Sequence, residues 1–257
     1  MRCTRSLVGL VLFFLSFVFP SLVPAFGEAE APGPVSPAEN RATPPTMVIG
    51  FVGGFVKHDA RAHSTVQVVE HLRNEYREGV YVQSFANRHR DQAYREIRRR
   101  LDGDNDGTLS AEEKQKARIV IFGHSWGASE TVTLARKLER DGIPVLLTIQ
   151  VDSVAKVGQN DSVIPANVGQ AINFYQPDGI VHGRPQIRAA DPLHTEILGN
   201  FRYDYSAKPI SCEGYPWFDR LLVKAHTEIE CDPKVWSQVE SLIYRKLSPE
   251  ARATAAR

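Results

Sequence analysis

Cysteine is scarce, with three in 257 residues. The chain is therefore no disulfide-dense scaffold and must fold around an apolar core, for which its length and 42% apolar residues suffice. An excess of either charge is also missing: 31 Lys and Arg face 30 Asp and Glu, a formal net charge of +1. Such a balance offers no field to attract nucleic acid or an anionic surface. The one basic cluster, from Arg88 through Arg100, reads as the solvated face of a helix with Ile97 and Leu101 turned inward. No internal repeat is visible, which argues against a solenoid or propeller. One α/β domain with decorations is expected.

Long apolar runs are confined to the start. Met1-Arg2-Cys3-Thr4-Arg5 precedes an apolar stretch over residues 7–23, the basic and hydrophobic regions of a secretory signal, with cleavage expected after Ala25-Phe26-Gly27. The alternative is an uncleaved anchor, since the run approaches the length that spans a bilayer. Either way the folded part is expected outside the cytoplasm, periplasmic or secreted, or held to the membrane by residues 1–27. Loss of that segment removes Arg2 and Arg5 and no acid, leaving 29 minus 30, or −1. Residues 28–45, rich in Ala, Pro and Glu, read as a disordered linker, so the domain is expected over residues 46–257. Cys3 would also go, leaving Cys212 and Cys231 in a compartment that permits oxidation. They are expected to pair, closing a loop worth on the order of 3 kcal/mol in the chain-entropy model. Two buried free thiols are the alternative.

What the chain does contain is an alternation of strand and helix signals. Residues 47–51 are an apolar strand ending in Gly53-Gly54; Val66, Val69, Leu72 and Tyr76 keep helical spacing; residues 80–85 form a second strand. After the basic helix come strands over 119–122, 145–151 and 171–175. A last helix, capped by Asp232 and opened by Pro233, carries Val235, Val239, Leu242 and Ile243 on its inner face. This order predicts a mainly parallel sheet with helices on both faces and ligand sites beyond the carboxyl ends of the strands. Residues 178–225 carry aromatics such as Phe201, Tyr203, Tyr205, Tyr215, Trp217 and Phe218 and are read as an irregular insertion over the site, with ordinary packing as the alternative.

Between the 119–122 strand and the helix begun by Ala128 stands Gly123-His124-Ser125-Trp126-Gly127. A G-x-S-x-G between strand and helix is the setting of a nucleophile elbow, in which glycines clear the space that lets a strained serine project from the sheet. Otherwise Ser125 merely caps the helix. A serine hydroxyl needs a base and the base needs an orienting acid. Asp152 directly follows the 145–151 strand, at the same sheet edge as Ser125, and His226 is expected in the loop just before the last helix. His182 and His194 are alternative bases, His124 is expected to face away as packing, and His58, His63, His71 and His89 are read as surface residues. Strand, elbow, helix, acid and histidine in this order resemble an α/β-hydrolase of the lipase/esterase type over roughly residues 46–247. The resemblance implies a Ser125-His226-Asp152 triad and an oxyanion hole from the backbone N–H groups of Trp126 and Phe55, the latter following Gly53-Gly54. In most members of the fold the acid lies one strand later, which points to Asp178; we prefer Asp152, because Pro177 and Gly179 mark Asp178 as a turn residue.

A second motif stands apart. Residues 102–113, Asp-Gly-Asp-Asn-Asp-Gly-Thr-Leu-Ser-Ala-Glu-Glu, fit the calcium-loop template D-x-[DN]-x-[DN]-G-x5-E. Asp102, Asp104, Asp106, Thr108 (by its carbonyl), Ser110 and Glu113 are the expected oxygen ligands of a structural Ca2+ ion, and Leu109 the inward apolar residue. The stretch resembles a single EF-hand loop, inserted before the nucleophile strand. No organic cofactor is implied. These readings converge on an exported serine hydrolase of a small-molecule or lipid carboxylic ester, with membrane contact only through an uncleaved anchor. A thioesterase, amidase or phospholipase would use the same residues. A calcium-dependent binding module on a hydrolase scaffold is the alternative from another class.

Overall fold

A computed structural model describes residues 46–215 and 223–247. The signal and linker readings, and Trp217 and Phe218, lie outside the described residues. Six strands form one sheet in the order β2-β1-β3-β4-β6-β8: β1 (Thr46–Val52), β2 (Val80–Ala86), β3 (Ile119–His124), β4 (Val145–Val151), β6 (Val168–Tyr175) and β8 (Glu196–Arg202). Every neighbouring pair in this sheet runs parallel. Two short strands, β5 (Val163–Ile164) and β7 (Arg188–Ala189), pair separately.

The helices are α1 (Ser64–Glu75), α2 (Arg90–Leu101), α3 (Ala111–Gln115), α4 (Trp126–Arg140), α5 (Lys224–Cys231) and α6 (Pro233–Leu247). A strand buried on both faces must be apolar throughout, and β1 and β3 are. Met47, Ile49, Phe51, Ile119 and Ile121 meet Ala93, Ile97 and Leu101 of α2 and Val132, Ala135 and Leu138 of α4. On the other face, Val48, Val120 and Phe122 meet Val69 and Leu72 of α1 and Val235, Val239 and Ile243 of α6. This is the α/β fold with helices on both faces that the element order predicts. Among the described residues, no helix is long and apolar enough to cross a membrane.

The connection through α1 builds the sheet to one side of β1, and the connection through α4 builds it to the other. Such a reversal opens a crevice at the carboxyl ends of the two strands between which it occurs. Gly53-Gly54 leave β1 and Ser125 leaves β3 at that crevice.

One segment departs from the sequence reading. Residues 178–225 are not irregular throughout, because β8 lies within them and completes the sheet edge. Its signal is weak: the strand is largely half-exposed, Gly199 interrupts it with φ 152°, and the ladder shifts register between Ala171 and Ile172. Most of the aromatics there are packing. Phe201 stacks on Phe174 at 5.7 Å, Tyr203 stacks on Tyr205 at 6.3 Å, and the Tyr205 hydroxyl donates to Asp232 Oδ2 at 2.9 Å. Of the described aromatics in this segment, Tyr215 lines the crevice beside Ser125.

Candidate active site

Ser125 follows the last residue of β3 and precedes the first of α4, with φ 58° and ψ −125°. For a residue with a Cβ this conformation is strained and persists only where the surroundings enforce it. Here they do. The Ser125 N–H donates to the Val151 carbonyl at 3.0 Å, and the Ser125 carbonyl accepts from Ala128 N at 3.0 Å and Val154 N at 3.2 Å. The glycines are demanded by contact: a Cβ at Gly127 would stand 2.1 Å from the Phe51 carbonyl oxygen, and one at Gly123 2.6 Å from Gly127 itself. The Ser125 side chain makes no capping bond to α4.

The hydroxyl turns instead to a histidine. Ser125 Oγ lies 2.9 Å from His226 Nε2, and His226 Nδ1 lies 2.6 Å from Asp152 Oδ2. All three are buried, at 7%, 9% and 0% exposure. An ionised carboxylate only accepts, so His226 Nδ1 carries the proton toward Asp152 and Nε2 is left to accept from the serine. His226 is not in a loop, as the sequence reading has it, but on α5, a separate helix that the Asp232-Pro233 pair divides from α6. Asp232 caps α6, its Oδ1 accepting from Lys234 N at 2.8 Å. The Cys212–Cys231 disulfide ties the last residue of α5 to the segment bearing Tyr215.

Asp152 leaves β4 with φ 46°. Its orienting partner escaped the sequence reading: Gln176 donates its backbone N–H to Asp152 Oδ1 at 3.0 Å and its side-chain amide to Oδ2 at 2.8 Å. Val151 and Phe174 are partners in the β4–β6 ladder, so a polar residue just past Phe174 was the available signal. Asp178 serves this arrangement indirectly, since its N–H donates to Gln176 Oε1 at 2.7 Å. The carboxylate bonded to His226 is that of Asp152. His182 and His194 are exposed, His182 near the Gly179 carbonyl and His194 paired with Asp191 at 2.6 Å.

The loop after β1 runs against Ser125. A Cβ at Gly53 would stand 2.9 Å from the Ser125 Cβ, and Gly54 takes φ 46°. The Asn87 amide holds this loop through the carbonyls of Val52 and Gly54. Beyond it Phe55 is 87% exposed, its ring edge-on to Trp126 with centroids 5.4 Å apart. Trp126 opens α4, where the first amides lack intrahelical acceptors. The cavity at the serine, about 120 Å3, is lined by Gly53, Gly54, Tyr215, Val223 and the buried polar residues beneath.

Two histidines differ from expectation. His63 is not a surface residue: its side chain is 14% exposed and its Nδ1 lies 2.6 Å from Glu230 Oε1. His124 is packed, as expected, but onto His226 itself, with ring centroids 4.6 Å apart and planes at 33°. Burial pushes the His124 imidazole down to about 4, so it stays neutral. For Glu230 burial acts upward, yet the histidines around it, His63 through its 2.6 Å bond to Oε1, hold the carboxyl below its ordinary range.

The acidic loop lies between α2 and the short α3, ahead of β3. One oxygen each from Asp102, Asp104 and Asp106 falls within 4.8 Å of the others. Asn105 at φ 58° and Gly107 at φ 84° make the turn that brings them together, and Leu109 packs against the core. Asp106 Oδ1 accepts from Thr108 N and Oγ1 at 2.7 and 2.8 Å. Glu113 closes the loop, its Oε1 accepting from Gly103 N at 2.7 Å and its Oε2 from Ser110 N and Oγ at 2.9 Å. With the Ser110 hydroxyl it forms the capping box of α3.

No family model matches the sequence, and no curated protein matches it. Solved structures do. The chain is similar to a thermostable esterase from Pseudomonas putida at 12% identity, covering 80% of this chain and 74% of that one, TM-score 0.40. It is similar to the RedJ thioesterase of the prodiginine biosynthetic pathway in Streptomyces coelicolor at 12%, covering 79% and 98%, TM-score 0.35. An acetyl xylan esterase matches at 11%, covering 79% and 99%, TM-score 0.36. Likenesses this distant carry no argument about activity.

Proposed function

We propose that the chain is an exported serine hydrolase that cleaves a carboxylic ester through Ser125, His226 and Asp152. The observation that supports this reading most is the buried relay from Ser125 Oγ through His226 to Asp152, with bonds of 2.9 and 2.6 Å and the serine held at a strained φ of 58°. In the reaction Ser125 Oγ attacks the ester carbonyl carbon while its proton passes to His226 Nε2. The tetrahedral oxyanion is met by the backbone N–H groups of Trp126 and Phe55. Collapse breaks the ester C–O bond, and the departing alcohol takes the proton from His226. Water then repeats the sequence on the acyl-serine, with His226 as base and then acid, and releases the carboxylic acid. Asp152 orients the imidazole throughout and opposes its transient positive charge, while Gln176 orients Asp152.

The acidic loop fits a calcium ion by donor chemistry: hard carboxylate oxygens from three aspartates already converge, and the positive-φ residues needed for the turn are in place. We propose that Asp102, Asp104 and Asp106, with Thr108, Ser110 and Glu113, hold Ca2+. When bound it would cross-link the loop that leads into β3. It takes no part in the acyl transfer.

The test is hydrolysis of p-nitrophenyl esters of graded chain length by residues 28–257, alongside Ser125→Ala, with a fluorophosphonate probe to label the activated serine. Turnover and labelling that vanish together in the variant are expected. An unlabelled wild-type protein that turns over no ester would overturn the reading in favour of a binding module.

A further inference from the structure

A second set of buried titratable groups lies directly behind the triad, and the reaction above does not use it. His226 and Glu230 are four residues apart on α5, so they share one helix face. Glu230 is 7% exposed. Its Oε1 accepts from His63 Nδ1 at 2.6 Å, and its Oε2 faces His124 Nδ1 at 3.4 Å. A carboxylate only accepts, so His63 Nδ1 is protonated, and the facing carboxylate favours the His124 tautomer with its proton on Nδ1. The far nitrogen of His124, Nε2, is buried with no hydrogen-bond partner among the described residues, while its ring lies 4.6 Å from that of His226. A polar ring left half-satisfied in the core is costly, and it is retained here against the face of the base. Glu230 is further fixed by its backbone, whose carbonyl accepts from Ser64 Oγ at 2.6 Å.

His226 is thus enclosed by charge on two sides. Asp152 approaches from β4, Ser125 and neutral His124 from the elbow, Glu230 from its own helix with His63 beyond, and Tyr215 from the segment before α5. Lys224 and Glu228 on other turns of α5 face each other at 3.9 Å, and Glu228 accepts from Ile210 N at 3.0 Å. Resting on the triad reading, we propose that Glu230 is a positioning residue for the catalytic base: it seats His226 through the His124 ring and supplies a second negative charge against which the imidazolium forms. Neutral His124 spaces the two without repelling the developing charge. His63 keeps Glu230 ionised, because a carboxylate that accepts a short bond from an imidazole N–H resists protonation.

The experiment reads the rate of fluorophosphonate labelling of Ser125 against pH, which requires an unprotonated base but no known substrate, together with kcat and KM on p-nitrophenyl acetate. Glu230→Gln keeps shape and hydrogen bonding but deletes the charge. Its acidic limb should move about one pH unit lower, since the imidazolium loses stabilisation, and its plateau kcat should fall about threefold to tenfold with KM little changed. Glu230→Asp should restore the wild-type limb. His63→Phe, which withdraws the bond that keeps Glu230 ionised, should move the limb the same way as Glu230→Gln and serves if that variant does not fold. Wild-type limbs and rates in folded Glu230→Gln and His63→Phe would overturn the proposal, as would a limb that moves equally in Glu230→Gln and Glu230→Asp. Failure of the wild-type protein to label would instead sink the triad reading itself.

Discussion

The crevice at Ser125 and the acidic loop at residues 102–113 were both legible as motifs, yet the fold holds them in opposite ways. At the crevice every functional side chain is buried, each is bonded to another buried group, and Gly53, Gly123 and Gly127 beside them have no room for a methyl. In the loop Asp104 and Asp106 are exposed, and the carboxylates accept from amides and hydroxyls of the loop itself, such as Gly107 N on Asp102 Oδ2 at 3.0 Å and Thr108 Oγ1 on Asp106 Oδ1 at 2.8 Å. The first arrangement is imposed by the core and does not wait for a ligand. The second is local, and a bound ion would have to supply what the core does not. Preorganisation of this kind is what acyl transfer needs, whereas a cation site tolerates a loop that closes on its ligand.

The largest effects should come from the chemistry at the crevice. Ser125→Ala is expected to lower kcat at least about 10³-fold, and Asp152→Asn by a similar factor through the wrong imidazole tautomer, with thermal melts little changed. Retained turnover in either folded variant would break the contrast at its centre. Gly127→Ala tests how rigidly the elbow is imposed. Its new Cβ meets the Phe51 backbone at 2.1 Å, so a loss of about 3 kcal/mol or more, or no folded protein, is expected in denaturant unfolding. Gly103→Ala in the acidic loop, where the nearest atom lies at 3.6 Å, should cost far less.

How much could be read in advance follows the same divide. The central strands and the elbow were readable because runs such as Ile119-Val120-Ile121-Phe122, buried on both faces, leave one interpretation, and because G-x-S-x-G records a steric demand that the Phe51 carbonyl enforces. Asp152 was readable from its position after β4. Gln176 and Glu230 were not, since an amide at a strand end and an acid on a helix carry no signal until the strands pair and α5 is seated. His63 looked like a surface residue because its partner is 167 positions away. The edge strand β8 was missed because an edge exposes one side and therefore need not be apolar.

A pH titration of stability sharpens the crevice side. His124 is held down to about 4 in the folded chain, chiefly by burial, against an ordinary value of 6.5. Between those values the unfolded chain takes up a proton at His124 that the folded one refuses, so stability should fall as the pH drops from about 6.5 to 4, by on the order of 3 kcal/mol. Glu230, held below its ordinary 4.5, adds a further loss that begins as the pH falls through that value and continues below it. Replacing His124 with Phe should flatten the upper window in urea melts and leave the lower one. A slope unchanged in His124→Phe would mean that the ring is not the buried base we take it to be.

The smallest effect separates the two regions most cleanly. Chelation should lower the melting temperature of residues 28–257, and Ca2+ at a hundredfold excess over Kd should raise it, adding about 2.7 kcal/mol of unfolding free energy. Asp104→Ala should abolish that difference, because it removes one of three converging carboxylates while leaving the core untouched. Labelling of Ser125 by the fluorophosphonate at room temperature should change little in either case. The crevice is buried among β1, β3, β4 and α5, and the loop joins β3 at its start, five strand positions before the serine's neighbour His124. Should chelation instead silence labelling while the protein remains folded, the loop would be governing the elbow. The division between a core-imposed site and a ligand-completed one would then be wrong.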